Sequence, residues 1–86
     1  MKVIFSEKAM DEYIEWQSRD KKTLKRINAL IHSIQREGYI NGIGKPEMLK
    51  NRKAYSRRID DFNRLIYSSD PENNVVIISC AGHYID

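Results

Sequence analysis

The stretch YSRRIDDFNRLIYSSDPENNVVIISC, Tyr55 to Cys80, decides the fold. Its first part alternates, with Tyr55, Arg57 and Ile59 on one side and Ser56, Arg58 and Asp60 on the other, the period of a β-strand. Asp61-Phe62-Asn63 supplies a turn, and Arg64 to Ser69 forms the next strand. Asp70-Pro71-Glu72-Asn73-Asn74 is a second turn, because Pro fixes φ while Asn and Asp tolerate turn geometry. Val75 to Cys80 is apolar and rich in β-branched residues, which marks it as the central, most buried strand. Three strands in 26 residues, joined by short turns, predict an antiparallel-rich sheet.

Upstream, the period changes. Lys2 to Phe5 forms a short strand, and Ser6 is a good N-cap, with Glu7 in the first turn where the helix dipole favours an acid. Ala9, Tyr13, Trp16 and Gln17, with Met10 and Ile14 beside them, recur at helical spacing to about Arg19. Asp20 caps a second helix whose apolar stripe is Leu24, Ile27, Leu30, Ile31 and Ile34, and Gly38 stops it. Gly42, Gly44 and Lys45-Pro46 then mark a loop. The order is βααβββ. It predicts an α+β fold in which a two-helix hairpin packs on one face of the sheet, as a single domain over residues 1–86.

The composition fits a small globular domain, with 41% hydrophobic and 31% charged residues. At 86 residues the stability margin is thin, and docking on a partner would widen it. No apolar run approaches the ~20 residues of a membrane span, and Met1 to Ser6 leads directly into charged residues rather than a signal-peptide core. Cys80 is the single cysteine, so no intrachain disulfide forms and the cytoplasm is the expected location. The net charge of +3 is uneven. Between Lys45 and Arg64, seven bases (Lys45, Lys50, Arg52, Lys53, Arg57, Arg58, Arg64) stand against three acids (Glu47, Asp60, Asp61). Such a face suits a polyanion, since phosphate contacts release counterions. A solvated basic face that only aids solubility is the other reading.

Several chemistries lack their motifs. There is no GxGxxG, P-loop, Gly-x-Ser-x-Gly elbow or clustered Cys/His set, so cofactor, zinc and serine-hydrolase readings have no support and no metal or cofactor is expected. An acid, a histidine and several arginines remain. His83 follows the last strand after Ala81-Gly82, and its ordinary pKa of ~6.5 lets it exchange a proton near neutrality. Glu47 follows Pro46 in a loop dominated by bases, and nearby cations keep a carboxylate ionised, as a general base requires. Taken singly, both are also ordinary surface residues. Arg57, Arg58 and Arg64 are strand-borne guanidiniums suited to bidentate phosphate contact, with Arg58 and Arg64 on one face if the hairpin register allows. Tyr84 and Tyr55 offer rings for stacking on an unpaired base, with core packing the alternative for Tyr55.

These segments together resemble the YoeB/Txe family of bacterial toxins within the wider RelE/ParE-like group. The resemblance runs nearly end to end. It includes Phe5-Ser6-Glu7, the Tyr13/Trp16-Gln17 helix face, Asp20-Lys21-Lys22 and Gly44-Lys45-Pro46-Glu47-x-Leu49-Lys50. It continues through Ser56-Arg57-Arg58-Ile59 and Arg64-Leu65-Ile66-Tyr67 to Gly82-His83-Tyr84. It implies an endoribonuclease that cuts mRNA in the A site of the 70S ribosome and is held inactive by a YefM/Axe-like antitoxin. In that implied mechanism Glu47 is the general base on the 2′-OH and His83 the general acid on the leaving 5′-oxygen. Arg64 steadies the phosphorane-like charge, Lys50 and Arg58 bind phosphate or rRNA, and Tyr84 orients the substrate. The expected product is a 2′,3′-cyclic phosphate, formed without a metal.

The antitoxin would lay an acidic segment over the basic groove. Monomer and homodimer both stay open. Two places depart from the family pattern: Lys53-Ala54-Tyr55 replaces a Gly-aromatic pair, and Ala81 stands where a base is common. A non-catalytic relative, such as a ParE-like topoisomerase inhibitor or a decayed antitoxin-binding module, would need neither Glu47 nor the His83-Tyr84 pair.

Overall fold

The computed structural model describes residues 1–83. Strand β1 (Val3–Phe5) ends at Ser6, whose hydroxyl accepts the Ala9 amide at 3.0 Å and so caps α1 (Glu7–Arg19). Asp20 serves both helices. Its amide donates to the Trp16 carbonyl to close α1, and its carboxylate accepts the Lys22 and Thr23 amides to open α2 (Lys21–Glu37). Gly38, at φ +93°, ends α2 with its amide on the Ile34 carbonyl. The caps stand where the sequence places them.

Four strands follow: β2 (Glu47–Met48), β3 (Tyr55–Arg58), β4 (Arg64–Ser69) and β5 (Val75–Ser79). The sheet order is β1-β5-β4-β3-β2, with β1 parallel to β5 and the other pairs antiparallel. The expected α+β architecture is present, with two differences. The loop before Tyr55 contains an extra strand, β2, two residues long and too short to carry an alternation signal. The middle strand is β4 rather than β5, because β2 adds a strand beyond β3 while β1 pairs with the far side of β5. β5 is interior all the same, its Val75, Ile77 and Ser79 buried and Val76 and Ile78 half-buried.

The core lies between the helices and one face of the sheet. Ala9, Trp16, Ile27, Leu30 and Ile34 meet Leu65, Tyr67, Val75 and Ile77. Trp16 Nε1 donates to the Cys80 carbonyl at 2.9 Å, fastening α1 to the end of β5. The Cys80 thiol is fully buried, and burial together with the nearby Glu12 charge pushes its pKa up to about 12. Among the described residues no helix is long and apolar enough to cross a membrane.

Candidate active site

Strand alternation assigns each side chain of β3 to one of two environments. Tyr55 and Arg57 point towards the helices, while Ser56 and Arg58 point away. The register then adds partners on the outer face, since Glu47 pairs with Ser56 and Arg58 pairs with Arg64. Lys45, Glu47, Ser56, Arg58 and Arg64 line one polar pocket of about 90 Å³. That is well under the ~300 Å³ at which pockets for drug-sized ligands begin, a size suited to one ionic group rather than an engulfed small molecule. Three cations and one carboxylate facing one space can hold a phosphodiester and place a base beside it.

The loop leading to Glu47 is pressed onto α2. Arg58 donates its amide to the Gly44 carbonyl at 2.7 Å, and a Cβ on Gly44 would stand 2.6 Å from Leu30 Cδ2. Only a glycine at φ +87° allows that approach. Lys45, also left-handed at φ 50°, turns the chain into β2. Arg64 is held from the β3–β4 turn, its Nη1 donating to the carbonyls of Asp60 at 2.8 Å and Asn63 at 3.1 Å. The Asp60 carboxylate organises that turn by accepting the Phe62 and Asn63 amides at 2.8 and 2.7 Å. Burial pushes the Asp60 pKa up, but hydrogen bonds from Asn63 and Phe62 and the Arg64 charge outweigh it and hold the group below its ordinary value.

His83 is exposed and, like Lys50, is not among the residues lining this pocket; it is the chain leading to it that hydrogen bonds place. The Arg64 amide donates to the Gly82 carbonyl at 3.0 Å, and the Gly82 amide donates to Asn63 Oδ1 at 2.8 Å. The residue before His83 is therefore fixed beside the start of β4. Lys50 is exposed in the loop after β2 and does not line the pocket. Tyr84 lies outside the described residues.

One expected RNA-binding residue, Arg57, is corrected, and Tyr55 is found packed among other rings while still lining an open pocket beside Met48 and Lys53. Arg57 is 0% exposed, and its guanidinium donates to Tyr67 Oη, Ser33 Oγ and three carbonyls, so it cannot touch a phosphate. Tyr55 is half-buried on the helix side, in a triangle of tyrosine rings with centroids 5.5 Å from Tyr39 and from Tyr67, which lie 6.4 Å from each other. The alternation of Arg57 with Tyr55 and Ile59, two apolar-bodied neighbours, was the signal that pointed inward. Sequence reasoning also missed Lys45 and Ser56 as pocket walls and Asp60 and Asn63 as supports. The Ser56–Arg58 alternation holds the clue for Ser56, but the supports depend on turn geometry. Among the described residues no three His, Cys, Asp or Glu side chains gather to hold a metal ion.

Comparison with known proteins agrees with this architecture. Residues 5–84 match the family model of the YoeB-like toxin of bacterial type II toxin-antitoxin system. Toxin YoeB of Synechocystis sp. is 48% identical over 86 residues, covering 98% of each chain. The Staphylococcus aureus YoeB dimer superposes with a TM-score of 0.90 at 45% identity, and the toxin in the heterotetrameric YoeB-YefM toxin-antitoxin complex of that organism with 0.89 at 45%. Each covers 98% of both chains. A match that starts at the last residue of β1 and ends beyond the last described residue takes in both helices, the other four strands and the outer pocket: the chain belongs to the YoeB-like toxins of bacterial type II toxin-antitoxin systems.

Proposed function

We propose that this toxin is an endoribonuclease that cleaves mRNA in the ribosomal A site, and that a YefM-type antitoxin silences it in the cytoplasm. The observation that carries the proposal is the shared pocket of Glu47, Arg58 and Arg64. Glu47 takes the proton from a ribose 2′-OH, and the 2′-oxygen attacks the adjacent phosphorus. Arg64, with its guanidinium preset by two turn carbonyls, donates to the oxygens on which negative charge grows. Arg58 and Lys45 hold the phosphate, and Lys50 contacts RNA backbone farther out. His83, charged at the start, gives its proton to the departing 5′-oxygen. The products are a 2′,3′-cyclic phosphate and a 5′-hydroxyl end, with Glu47 protonated and His83 neutral until they exchange with solvent. Tyr84, the next residue in the sequence after His83, orients the substrate.

The whole chain acts as one domain. YefM binds YoeB in the Staphylococcus aureus heterotetramer, and a similar antitoxin here would cover the pocket with acidic side chains. The test is expression of Glu47→Gln, His83→Gln and the double variant, with mRNA ends mapped. Each single change is expected to slow cleavage about 10²–10⁴-fold. A double variant that still arrests growth with the same cleavage pattern overturns the mechanism.

A further inference from the structure

The geometry points to Arg57 as a positioning residue for the proposed cleavage, setting Glu47 by clamping the loop that precedes it; the inference rests on the reading of Glu47 as general base. Arg57 is a fully buried cation, and among the described residues no carboxylate lies within ion-pair distance of it. Its direct partners are dipoles, with the Glu37 carboxylate one hydrogen bond away through Ser33 Oγ. Nη1 donates to Ser33 Oγ at 3.0 Å and the Ile43 carbonyl at 2.9 Å. Nη2 donates to the carbonyls of Gly38 at 2.9 Å and Asn41 at 2.6 Å, and Nε to Tyr67 Oη at 2.8 Å. Three of these five acceptors belong to the backbone between α2 and β2, a segment with no regular structure of its own.

That segment is drawn flat against α2. A Cβ on Gly42, at φ +103°, would collide with Ser33 Oγ and stand 3.1 Å from Arg57 Nη1. The Ile43 amide donates to the same Ser33 Oγ at 3.2 Å. Four residues beyond Ile43 is Glu47. The neighbouring Arg58 secures the same loop from the strand backbone, through its amide on Gly44, while its side chain enters the pocket. The two arginines of β3 thus fix the loop from one side and receive the substrate on the other. A lysine at position 57 keeps the charge but presents its donors from one point, so it cannot span acceptors from Gly38 to Tyr67. Loosening the clamp shifts Glu47 relative to Arg58 and Arg64 and slows the chemical step, while leaving the outer cations free to bind RNA.

The experiment compares the full-length parent, Arg57→Lys, Tyr67→Phe and Glu47→Gln. Single-turnover cleavage on mRNA-programmed ribosomes is read against ribosome concentration, and amide hydrogen exchange is read across the chain. Arg57→Lys is expected to lower the maximal rate at least tenfold with the half-saturating concentration within twofold of the parent. Exchange at Ile43 and Arg58 should accelerate at least tenfold, with the β4–β5 amides unchanged. Tyr67→Phe removes one acceptor of the five and should give a smaller change in the same direction, which keeps the test alive if Arg57→Lys does not fold. A parent-like maximal rate in both Arg57→Lys and Tyr67→Phe overturns the inference, as does acceleration of exchange equally in β4–β5. If Glu47→Gln cleaves as fast as the parent, the base assignment itself fails, and with it the role of Arg57 in positioning that base. Localised exchange at Ile43 and Arg58 would then still reveal the clamp, so the two failures are distinguishable.

Discussion

Arg57 and Arg58 differ by one position and carry the same guanidinium into opposite environments. One pleat sends the first guanidinium into the core and the second to the pocket. Cys80 shows the same dependence on neighbours, because α1 holds both of its backbone polar groups. Glu12 Oε1 accepts its amide at 2.7 Å, and Trp16 Nε1 donates to its carbonyl at 2.9 Å. These bonds fix the chain three residues before His83. Trp16→Phe keeps a ring in the core but leaves the Cys80 carbonyl without that donor, a loss of about 1–3 kcal/mol measurable by urea unfolding. The same variant should also reduce cleavage, by loosening the chain that leads to His83. Roles that are local were legible in the sequence: the capping bonds of Ser6, Asp20 and Gly38 reach no farther than four residues, and each caps where expected. Glu47 and Arg64 were legible as candidates, but their meeting required a register no local pattern specifies. Arg57 was misread because basic charge was weighed above the inward alternation it shared with Ile59.

At the scale of elements, the turns carry much of what positions the site. The β3–β4 turn holds Arg64 through the carbonyls of Asp60 and Asn63, and Asn63 Oδ1 also holds Gly82. One short turn therefore fixes both the phosphate-binding cation and the segment that delivers His83. Its integrity depends on an ionised Asp60. Since the folded pKa of Asp60 is depressed below its ordinary value of ~3.9, ionisation contributes stability that is present above that value and lost as pH falls through the folded one. Exchange of the Phe62 and Asn63 amides, after correction for intrinsic rates, should accelerate as pH drops below about 4. Asp60→Asn should remove that pH dependence at this turn and leave the acid response of the Asp70 turn, which is organised in the same way, intact. A pH response at Phe62 and Asn63 unchanged in Asp60→Asn would show that another group controls the turn. The two-residue β2 escaped sequence reading for a complementary reason. It exists because β3 offers an edge and the loop is pinned nearby, not because Glu47 and Met48 favour a strand.

For the whole molecule, the question is which of its cations a polyanion meets. Counted by sequence, Lys45 to Arg64 holds seven bases, but folding withdraws Arg57 from solvent and fixes Arg64 by its turn. The effective face consists of the pocket cations Lys45, Arg58 and Arg64 and the exposed bases Lys50, Arg52 and Lys53. Each phosphate neutralised by such a group releases condensed counterions, so the logarithm of RNA affinity should fall linearly with the logarithm of salt concentration. Arg58→Ala removes one phosphate contact and should reduce that slope by about 1, with weakening that is uniform across RNA sequences. Arg57→Lys preserves the net charge and removes no contact with RNA, so its slope should match the parent even where its cleavage rate falls. Binding titrations of a single-stranded RNA at several salt concentrations, with Glu47→Gln in the background to prevent cutting, make the comparison. Equal slope losses for the two arginine changes would mean that both touch phosphate, which the burial of Arg57 forbids in this fold. An unchanged slope for Arg58→Ala would move the phosphate-binding face away from the Glu47 pocket altogether.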